Sequence, residues 1–153
     1  MKLATLIYVH DTIENKTLML FRNKKANDVH EGKRNGLGGK LEVWESPDVC
    51  CIRELREESG LTATEFELKG VLTAPDFTPD HDRYIFIYKV TARTGDLIEC
   101  NEGELHRIDN NKLLDLNLRE GDKKFLPLVF EPWLFHARMC YKDGILEDSE
   151  IKR

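Results

Sequence analysis

The chain lacks long apolar runs, and nowhere in its 153 residues is there a segment long enough to span a membrane. A basic leader followed by an apolar stretch is also missing from the N-terminus, as is a low-complexity tail. These absences argue against the membrane and secreted classes and predict a soluble cytoplasmic protein. No internal repeat or change of composition divides the chain, so a single domain over residues 1–153 is expected.

Cysteine is scarce, with four residues at positions that show neither metal-ligand spacing nor a disulfide framework. Two of them, Cys50 and Cys51, are adjacent, and the others are Cys100 and Cys140. Such residues are typical of small core or boundary positions in a protein of a reducing compartment.

An excess of positive charge is also missing, because 23 basic residues face 28 acidic ones and the net charge is −5. This balance argues against nonspecific binding to nucleic-acid polymers or to membranes. An acidic protein can still bind a triphosphate when a metal ion and a few cations hold the anion locally. Arg22, Lys24, Lys33 and Arg34 could supply such cations at the mouth of a cleft, although ordinary surface is the alternative for each. His30 is expected on a loop surface.

The most informative stretch of the chain is residues 38–61, GGKLEVWESPDVCCIRELREESGL, which predicts a glycine-rich loop followed by a helix. Ser46 can cap the first amides, Pro47 suits the first helical position, and Gly60 can end the helix in a left-handed conformation. At about 100° per residue, one helix face carries Glu54, Glu57 and Glu58. The opposite, apolar side is predicted to hold Val49, Ile52 and Leu55.

Two interpretations of this acidic face are open from the residues alone. A solvated run of charge, helped by an Arg53–Glu57 pair one turn apart, is the ordinary one. However, carboxylates at these spacings repel one another, and Arg53 neutralises only part of the charge. A hard divalent cation with oxygen ligands would neutralise it more fully.

The glycines before this helix, Gly36, Gly38 and Gly39, allow positive dihedral angles and close approach of the backbone to an anion or a metal ion. A simple turn is the alternative. Their position directly before the acidic helix favours a functional loop.

The same stretch resembles the Nudix family, whose signature is GX5EX7REUXEEXGU with U an aliphatic residue. All nine signature positions agree: Gly39, Glu45, Arg53, Glu54, Leu55, Glu57, Glu58, Gly60 and Leu61. Seven of them are fixed residue types, so a chance match has a probability on the order of 10⁻⁸ per starting position. The flanking NGLGGKLE and the distal NEGEL segment are most similar to the MutT-type branch, which hydrolyses oxidised nucleoside triphosphates.

The resemblance implies a Mg²⁺ site, with Mn²⁺ as the alternative ion. Its implied ligands are the Gly38 carbonyl and the carboxylates of Glu54, Glu57, Glu58 and Glu102. For the last of these, Glu99 and Glu104 are rivals. Arg53, paired with Glu45, would orient the carboxylates. The water proton would be accepted by Glu54, Glu58 or Glu102, a choice that stays open.

A nucleotide substrate is implied, with Arg22, Asn35, Gly39 and Lys40 as its expected contacts. Asn35 occupies the position at which some MutT-type enzymes bind an oxidised purine. This favours 8-oxo-dGTP, cleaved to monophosphate and pyrophosphate, as the substrate, which is a DNA-repair role.

Two departures from the family pattern affect this expectation. Trp44 stands where many members have glycine, and it could reshape the loop or cover the substrate. In segment 119–122, relatives tend to carry an aromatic residue near Arg119, and the human oxidised-nucleotide enzyme has an acidic base-reading residue at the position matched to Gly121.

Other functions therefore stay under consideration. A Nudix hydrolase acting on a nucleotide sugar, a dinucleoside polyphosphate or a capped RNA end is one alternative. A noncatalytic nucleotide-sensing or RNA-binding module is another, although such modules usually lose signature glutamates and none is missing here. A monomer and a homodimer are both compatible with the sequence.

The remaining segments predict an α/β fold. A hairpin is expected at residues 3–22, strands at 65–73, 83–92 and 104–108, helices at 110–116 and 123–130, and a final strand pair that turns at Asp143 and Gly144. Residues 74–83, APDFTPDHDR, are expected to form a surface loop in which His81 and Asp82 are weak catalytic candidates. Strands alternating with helices suggest a sandwich. The resemblance implies a Nudix-type α/β/α sandwich with a mixed, curved sheet between helices.

Overall fold

The structure is a computed structural model that describes residues 1–23, 33–78 and 81–153, with the side chains of residues 76–78 and 81 outside the description. Predictions for Lys24, His30 and the His81 side chain therefore fall outside it. The described elements, in chain order, are β1 (Lys2–Asp11), β2 (Lys16–Phe21), β3 (Arg34–Asn35), α1 (Pro47–Ser59), β4 (Thr62–Thr78), β5 (His81–Thr94), β6 (Glu104–Asp109), a 3₁₀ helix (Asn110–Asp115), α2 (Glu120–Val129), β7 (Phe135–Lys142) and β8 (Ile145–Lys152).

These strands form a mixed sheet in the order β3-β2-β1-β5-β4-β7-β8, and β6 pairs with β2. The β1–β5 and β4–β7 pairs are parallel, whereas the other pairs are antiparallel. α1 packs on β1 and β4, and α2 packs on β4, β5, β7 and β8. The predicted α/β sandwich is confirmed.

Alternation along β1 explains the two layers, because successive side chains of a strand point to opposite faces. Leu6 and Tyr8 join the core beneath α2, together with Met19, Leu72, Ile87, Leu113, Leu118, Phe125, Leu126, Val129, Phe135, Ala137 and Met139. Ile7 and Val9 join the core beneath α1, with Leu18, Leu37, Cys51, Leu55, Leu61, Ala63, Tyr88 and Val90. The sheet therefore buries apolar side chains on both faces.

The expected N-terminal hairpin is present as β1 and β2, and the final strand pair turns at Asp143 and Gly144. Both turn residues have positive φ, 51° and 79°, as a two-residue hairpin turn requires. The short helix expected at 110–116 is a 3₁₀ helix. Among the described helices, none combines the length and apolar character needed to cross a bilayer.

The prediction of a surface loop at residues 74–83 is wrong over most of that range. β4 continues to Thr78 and β5 begins at His81, and these two residues pair with each other. A register shift between Ala74 and Thr78 explains how Pro75 is tolerated, because a bulge does not need every amide. The two strands form a long hairpin that the proline-rich composition concealed.

The buried stripe of α1 also differs from the prediction. Val49 is 53% exposed, whereas Cys50, Cys51 and Leu55 are fully buried. Cys50 and Cys51, which were expected at core or boundary positions, occupy the buried side of the helix in place of Val49. The second helix, expected at 123–130, begins three residues earlier, and this earlier start places Asp122 on it.

Candidate active site

A cavity of about 450 Å³ lies between the segment leading into α1, the sheet and the start of α2, and its size suits a small-molecule ligand. One part of its wall, here called the α1 side, consists of Arg22, Gly38, Gly39, Lys40, Glu42, Arg53, Glu54 and Glu102. The other part, the α2 side, consists of Asn35, Leu72, Ala74, Arg83, Ile85, Arg119, Asp122, Met139 and Tyr141. Residues of β1 and of the segment after β3 complete the lining.

The helix that presents the acidic face begins and ends as its sequence predicts. The Ser46 side chain accepts a hydrogen bond from the Val49 amide at 3.2 Å, and Pro47 occupies the first turn. At the other end Gly60 has a φ of 81°, and its amide donates to the Arg56 carbonyl. These caps fix where the helix starts and therefore which side chains reach the cavity.

The glycine loop lies against β1 and is too close for side chains. The Thr5 amide donates to the Gly39 carbonyl at 2.8 Å. A Cβ atom on Gly38, whose φ is 133°, would lie 2.1 Å from the Thr5 carbonyl oxygen, and one on Gly39 would lie 2.6 Å from the Glu54 carboxylate. The Gly38 amide donates to Glu58 at 2.7 Å. The loop therefore joins the acidic helix to the sheet through backbone atoms.

Arg53 connects the loop and the helix. Its guanidinium binds Glu45 through two hydrogen bonds of 2.6 and 2.9 Å. It also reaches Glu54 at 2.9 Å, Glu57 at 3.1 Å and the Lys40 carbonyl at 3.0 Å. These bonds to Arg53 lower the pKa of Glu45 to about 2. The expected Arg53–Glu45 pair is thus present, and Arg53 fixes the orientation of three carboxylates.

Glu58 lies behind the glycine loop. One carboxylate oxygen accepts from Gly38, and the other is buried without a hydrogen-bond partner among the described residues. Burial raises the pKa of Glu58 well above its usual range, and the negative charges of Glu102 and Glu54 add to the shift. The pKa of Glu54 is raised as well, mainly by burial and despite its bond to Arg53. The three carboxylates therefore lie close enough to repel one another.

Glu102 reaches the cavity from the segment before β6. Arg22 donates to its carboxylate at 2.9 Å. Gly103 permits this approach, because a Cβ atom there would lie 1.9 Å from the Phe21 carbonyl oxygen. The rivals Glu99 and Glu104 are exposed and do not line the cavity. Among the three acids considered in this segment, the structure brings Glu102 to the site.

In the described part of the chain, no three acidic, histidine or cysteine side chains already converge as a metal cage. Glu57 is 58% exposed and pairs with Arg53, while Glu102 pairs with Arg22. The donor set nevertheless suits a hard cation. Glu58 keeps a buried oxygen without a partner among the described residues, and the negative charges of Glu54 and Glu102 disfavour the ionisation of Glu58. A divalent ion with oxygen ligands would satisfy that oxygen and remove the repulsion.

Asp122, on the α2 side, is a site residue that the sequence prediction missed. Its side chain is only 9% exposed, and burial raises its pKa to about 7 although Arg119 opposes the shift. Nearby, the Gly121 amide donates to the Tyr141 hydroxyl at 2.8 Å, and the Arg119 guanidinium lies 5.6 Å from the Tyr141 ring centroid. A Cβ atom at Gly121 would lie 2.5 Å from the Tyr141 hydroxyl, and the next residue, Asp122, lines the cavity.

The other predicted substrate contacts divide into two groups. Arg22, Asn35, Gly39 and Lys40 all line the cavity. Asn35 is nearly buried, and its side-chain oxygen accepts from the Gly36 amide at 3.0 Å. Lys33 and Arg34 do not line it, because they bind Asn117 and His106 instead. Asp82 is exposed and does not line the cavity, whereas the His81 side chain lies outside the described residues.

Comparison with known proteins agrees with this geometry. The NUDIX domain family matches residues 2–129. The uncharacterized Nudix hydrolase YvcI of Bacillus subtilis is 33% identical over 109 residues, which are 68% of this chain and 69% of that protein. The oxidized purine nucleoside triphosphate hydrolase of Danio rerio is 26% identical over 130 residues, which are 85% of this chain and 80% of that protein. The crystal structure of the MutT protein from Bacillus halodurans superimposes with a TM-score of 0.88 at 25% identity, covering 99% and 97% of the two chains.

Proposed function

The chain belongs to the Nudix hydrolase family, and from that premise we propose that it hydrolyses an oxidised purine nucleoside triphosphate such as 8-oxo-dGTP to the monophosphate and pyrophosphate. The family acts on nucleoside diphosphate derivatives and generally uses divalent metal ions. The specific nucleotide and the choice of Mg²⁺ are the proposed parts.

The observation that carries the catalytic part is the arrangement of Glu58. Its second oxygen is buried and unpartnered among the described residues, and the charges of Glu54 and Glu102 oppose its ionisation. A buried carboxylate with an unpartnered oxygen beside other carboxylates is costly to ionise, so a bound cation gives the arrangement a physical reason. We assign the ion to four carboxylates and one backbone carbonyl, namely Glu54, Glu57, Glu58, Glu102 and Gly38.

The bound ion would neutralise charge on the phosphate oxygens and lower the pKa of a coordinated water. Arg53 holds Glu54 and Glu57 through the bonds described above, and Glu45 holds Arg53 in turn. Lys40 and Arg22 line the same part of the cavity and would bind the polyphosphate. One carboxylate among Glu54, Glu58 and Glu102 would accept the proton of the attacking water.

The α2 side is the proposed base site. Asn35 uses its side-chain oxygen internally, so its amide group is the part left to donate to a base. Asp122 accepts from a base N–H when ionised and donates when protonated, and its pKa of about 7 makes both forms accessible. An oxidised purine adds an N7–H donor and an O8 acceptor to the guanine pattern. The Danio rerio relative, named for oxidised purine triphosphates, supports this choice.

A panel of nucleotides, assayed with Mg²⁺, with Mn²⁺ and with a chelator, tests the proposal. We expect 8-oxo-dGTP to give monophosphate and pyrophosphate in a metal-dependent reaction, with a higher kcat/KM than dGTP. Release of orthophosphate from the triphosphate, or turnover confined to nucleotide sugars or capped RNA, would contradict it.

A further inference from the structure

Arg119 stands directly before α2, as the N-cap residue of that helix, and it lines the α2 side of the cavity. It makes no side-chain capping bond to the helix. Residues favoured at this position accept from the first amides, whereas arginine only donates and its charge meets the positive end of the helix dipole. An arginine here therefore has a reason outside the folding of α2, and its place in the cavity wall suggests what that reason is.

The Arg119 guanidinium is held by its neighbours. Its central carbon lies 5.6 Å from the centroid of the Tyr141 ring, within the range of cation–π attraction. Tyr141 is fixed in turn, because its hydroxyl accepts from the Gly121 amide at 2.8 Å. The positive charge of Arg119 also lowers the pKa of Asp122 against the effect of burial. The cavity wall therefore presents a cation and an acid near each other at the start of α2.

The two charged groups differ in the hydrogen bonds that they can form. Asp122 accepts when it is ionised and donates when it is protonated, so it can match either a donor or an acceptor on a base. A guanidinium has N–H donors and no acceptor, and it stays charged at every physiological pH. Asp122 alone therefore tolerates two base patterns, whereas Arg119 tolerates one.

We propose that Arg119 is a specificity-determining residue that donates to the C6 oxygen of a purine and excludes purines with an amino group at C6. This inference rests on the proposed function, which places the base on the α2 side. A 6-oxo purine has its C6 oxygen beside the N1–H donor, which suits Arg119 next to an ionised Asp122. A 6-amino purine has an amino donor at C6, which would meet the N–H groups of Arg119. The substrate class is thereby narrowed to 6-oxo purine nucleoside triphosphates.

A phosphate contact is the other role that an arginine in this cavity can have, because guanidinium groups also bind phosphate. The surroundings favour the base. Arg22 and Lys40 lie on the α1 side with the carboxylates, whereas Arg119 shares its wall with the apolar side chains of Leu72 and Met139. A flat base can cover such apolar surface, but a phosphate cannot. A phosphate role would also make the loss on removing Arg119 equal for all triphosphates.

The test measures kcat/KM for two pairs of substrates, dITP with dATP and 8-oxo-dGTP with 8-oxo-dATP. The members of the first pair differ only in the C6 group and the N1 proton. We expect the wild type to prefer the 6-oxo member of each pair. Arg119→Leu should lower this preference about tenfold, the low end of the range for a hydrogen bond to a charged group. Arg119→Lys keeps the charge but not the planar fork and should give an intermediate preference.

The matched control is Arg107→Leu, which changes an exposed arginine that does not line this cavity and should alter the preference less than about twofold. Circular dichroism checks the fold of each variant, and the lysine variant carries the same comparison if the leucine variant does not fold. An unchanged preference in Arg119→Leu, or an equal loss on all four substrates, overturns the inference. A wild type without a preference for 6-oxo purines overturns it as well.

An indirect effect through Asp122 is separated by a second background. Arg119→Leu removes the charge that favours ionised Asp122, so the same substitution is also made in Asp122→Asn, where no carboxylate titrates. A direct contact between Arg119 and the base predicts that the C6 preference still falls in this background. No further fall there would show that Arg119 acts only through Asp122, which contradicts the inference.

Calorimetric binding of the monophosphates dIMP and dAMP separates failure of this inference from failure of the proposed function, because it needs no turnover. We expect the wild type to bind dIMP more tightly than dAMP, and Arg119→Leu to remove most of the difference. Equal affinities in the wild type would contradict the inference. Absence of 8-oxo-dGTP turnover, with the preference for dIMP intact, would contradict the proposed function alone.

Discussion

The α1 side and the α2 side of the cavity are built in different ways. On the α1 side, Arg53, a glycine loop and a capped helix fix the carboxylates, and most of these residues fall within one stretch of 24 residues, 38–61. On the α2 side, Asp122 is a buried acid whose pKa is raised by burial, and the rest of that wall comes mainly from β3, β4, β5 and β7. This difference is the basis of our proposal that the α1 side performs the cleavage and the α2 side selects the base.

The largest expected effect comes from removing the carboxylate of Glu58, which lies behind the glycine loop of the α1 side. Glu58→Gln should lower kcat by roughly 10²–10⁴-fold, the range for losing a proton-transferring or comparably placed group. The fold should be retained, because glutamine can still accept from Gly38. Steady-state kinetics together with circular dichroism measure both properties. Glu99→Gln, an exposed acid outside the cavity, is the matched control, and equal kinetics in the two variants would refute the role of Glu58.

The second largest expected effect is on the pH dependence of the free energy of unfolding, through Asp122 on the α2 side. Asp122 has a folded-state pKa of about 7 against an ordinary value of 3.8, so the folded chain binds the proton more tightly than the unfolded chain. Its contribution to stability is fully present below the unfolded pKa and is lost as the pH rises through 7. Relative to Asp122→Asn, the wild type should lose on the order of 3 kcal/mol between pH 4 and pH 8.

Denaturant unfolding with a chelator present, at several pH values, measures this difference. Groups other than Asp122 titrate in both proteins, so their contributions to the free energy of unfolding cancel in the difference. A difference that stays constant with pH would show that Asp122 is ionised throughout and would remove the contrast between the two sides.

Several of these features follow from local sequence, whereas others depend on distant pairing. The ends of α1 were predictable because Ser46 and Gly60 act on adjacent backbone groups. The extension of β4 to Thr78 and of β5 from His81 was not, because it depends on pairing between two strands. Asp122 was missed because its place in the cavity wall depends on the packing of α2 against distant strands of the sheet. For the acids before and in β6, the family resemblance favoured Glu102, and the structure adds that Glu102, unlike Glu99 and Glu104, lines the cavity.

A third prediction concerns the geometry of the α1 side. Arg53→Lys should lower kcat by roughly 10–100-fold, as expected for loss of a group that orients metal ligands. Lysine keeps the charge but cannot form the two-pronged bond to Glu45 while also reaching Glu54. The control is Arg56→Ala on the exposed face of the same helix. Similar kinetics for the lysine variant and wild type would show that charge alone suffices.

The smallest effect is expected from a single hydroxyl on the α2 side. Tyr141→Phe removes the acceptor of the Gly121 amide at the start of α2 and should change the preference for 8-oxo-dGTP over dGTP by about two- to fivefold, since a neutral hydrogen bond contributes about 1 kcal/mol. kcat for the better substrate should change little. Tyr84→Phe, outside this cavity, provides the comparison, and an equal response in both variants would contradict the assignment.

The division between cleavage and selection is tested most directly by measuring kcat/KM for 8-oxo-dGTP and dGTP in wild type, Glu58→Gln and Asp122→Asn. We expect Glu58→Gln to lower both values by the same large factor and to leave their ratio unchanged. Asp122→Asn should lower the preference for 8-oxo-dGTP by about tenfold, the upper part of the range for one lost hydrogen bond, with the larger loss on 8-oxo-dGTP and a smaller effect on dGTP. Equal losses on both substrates in both variants would contradict the account.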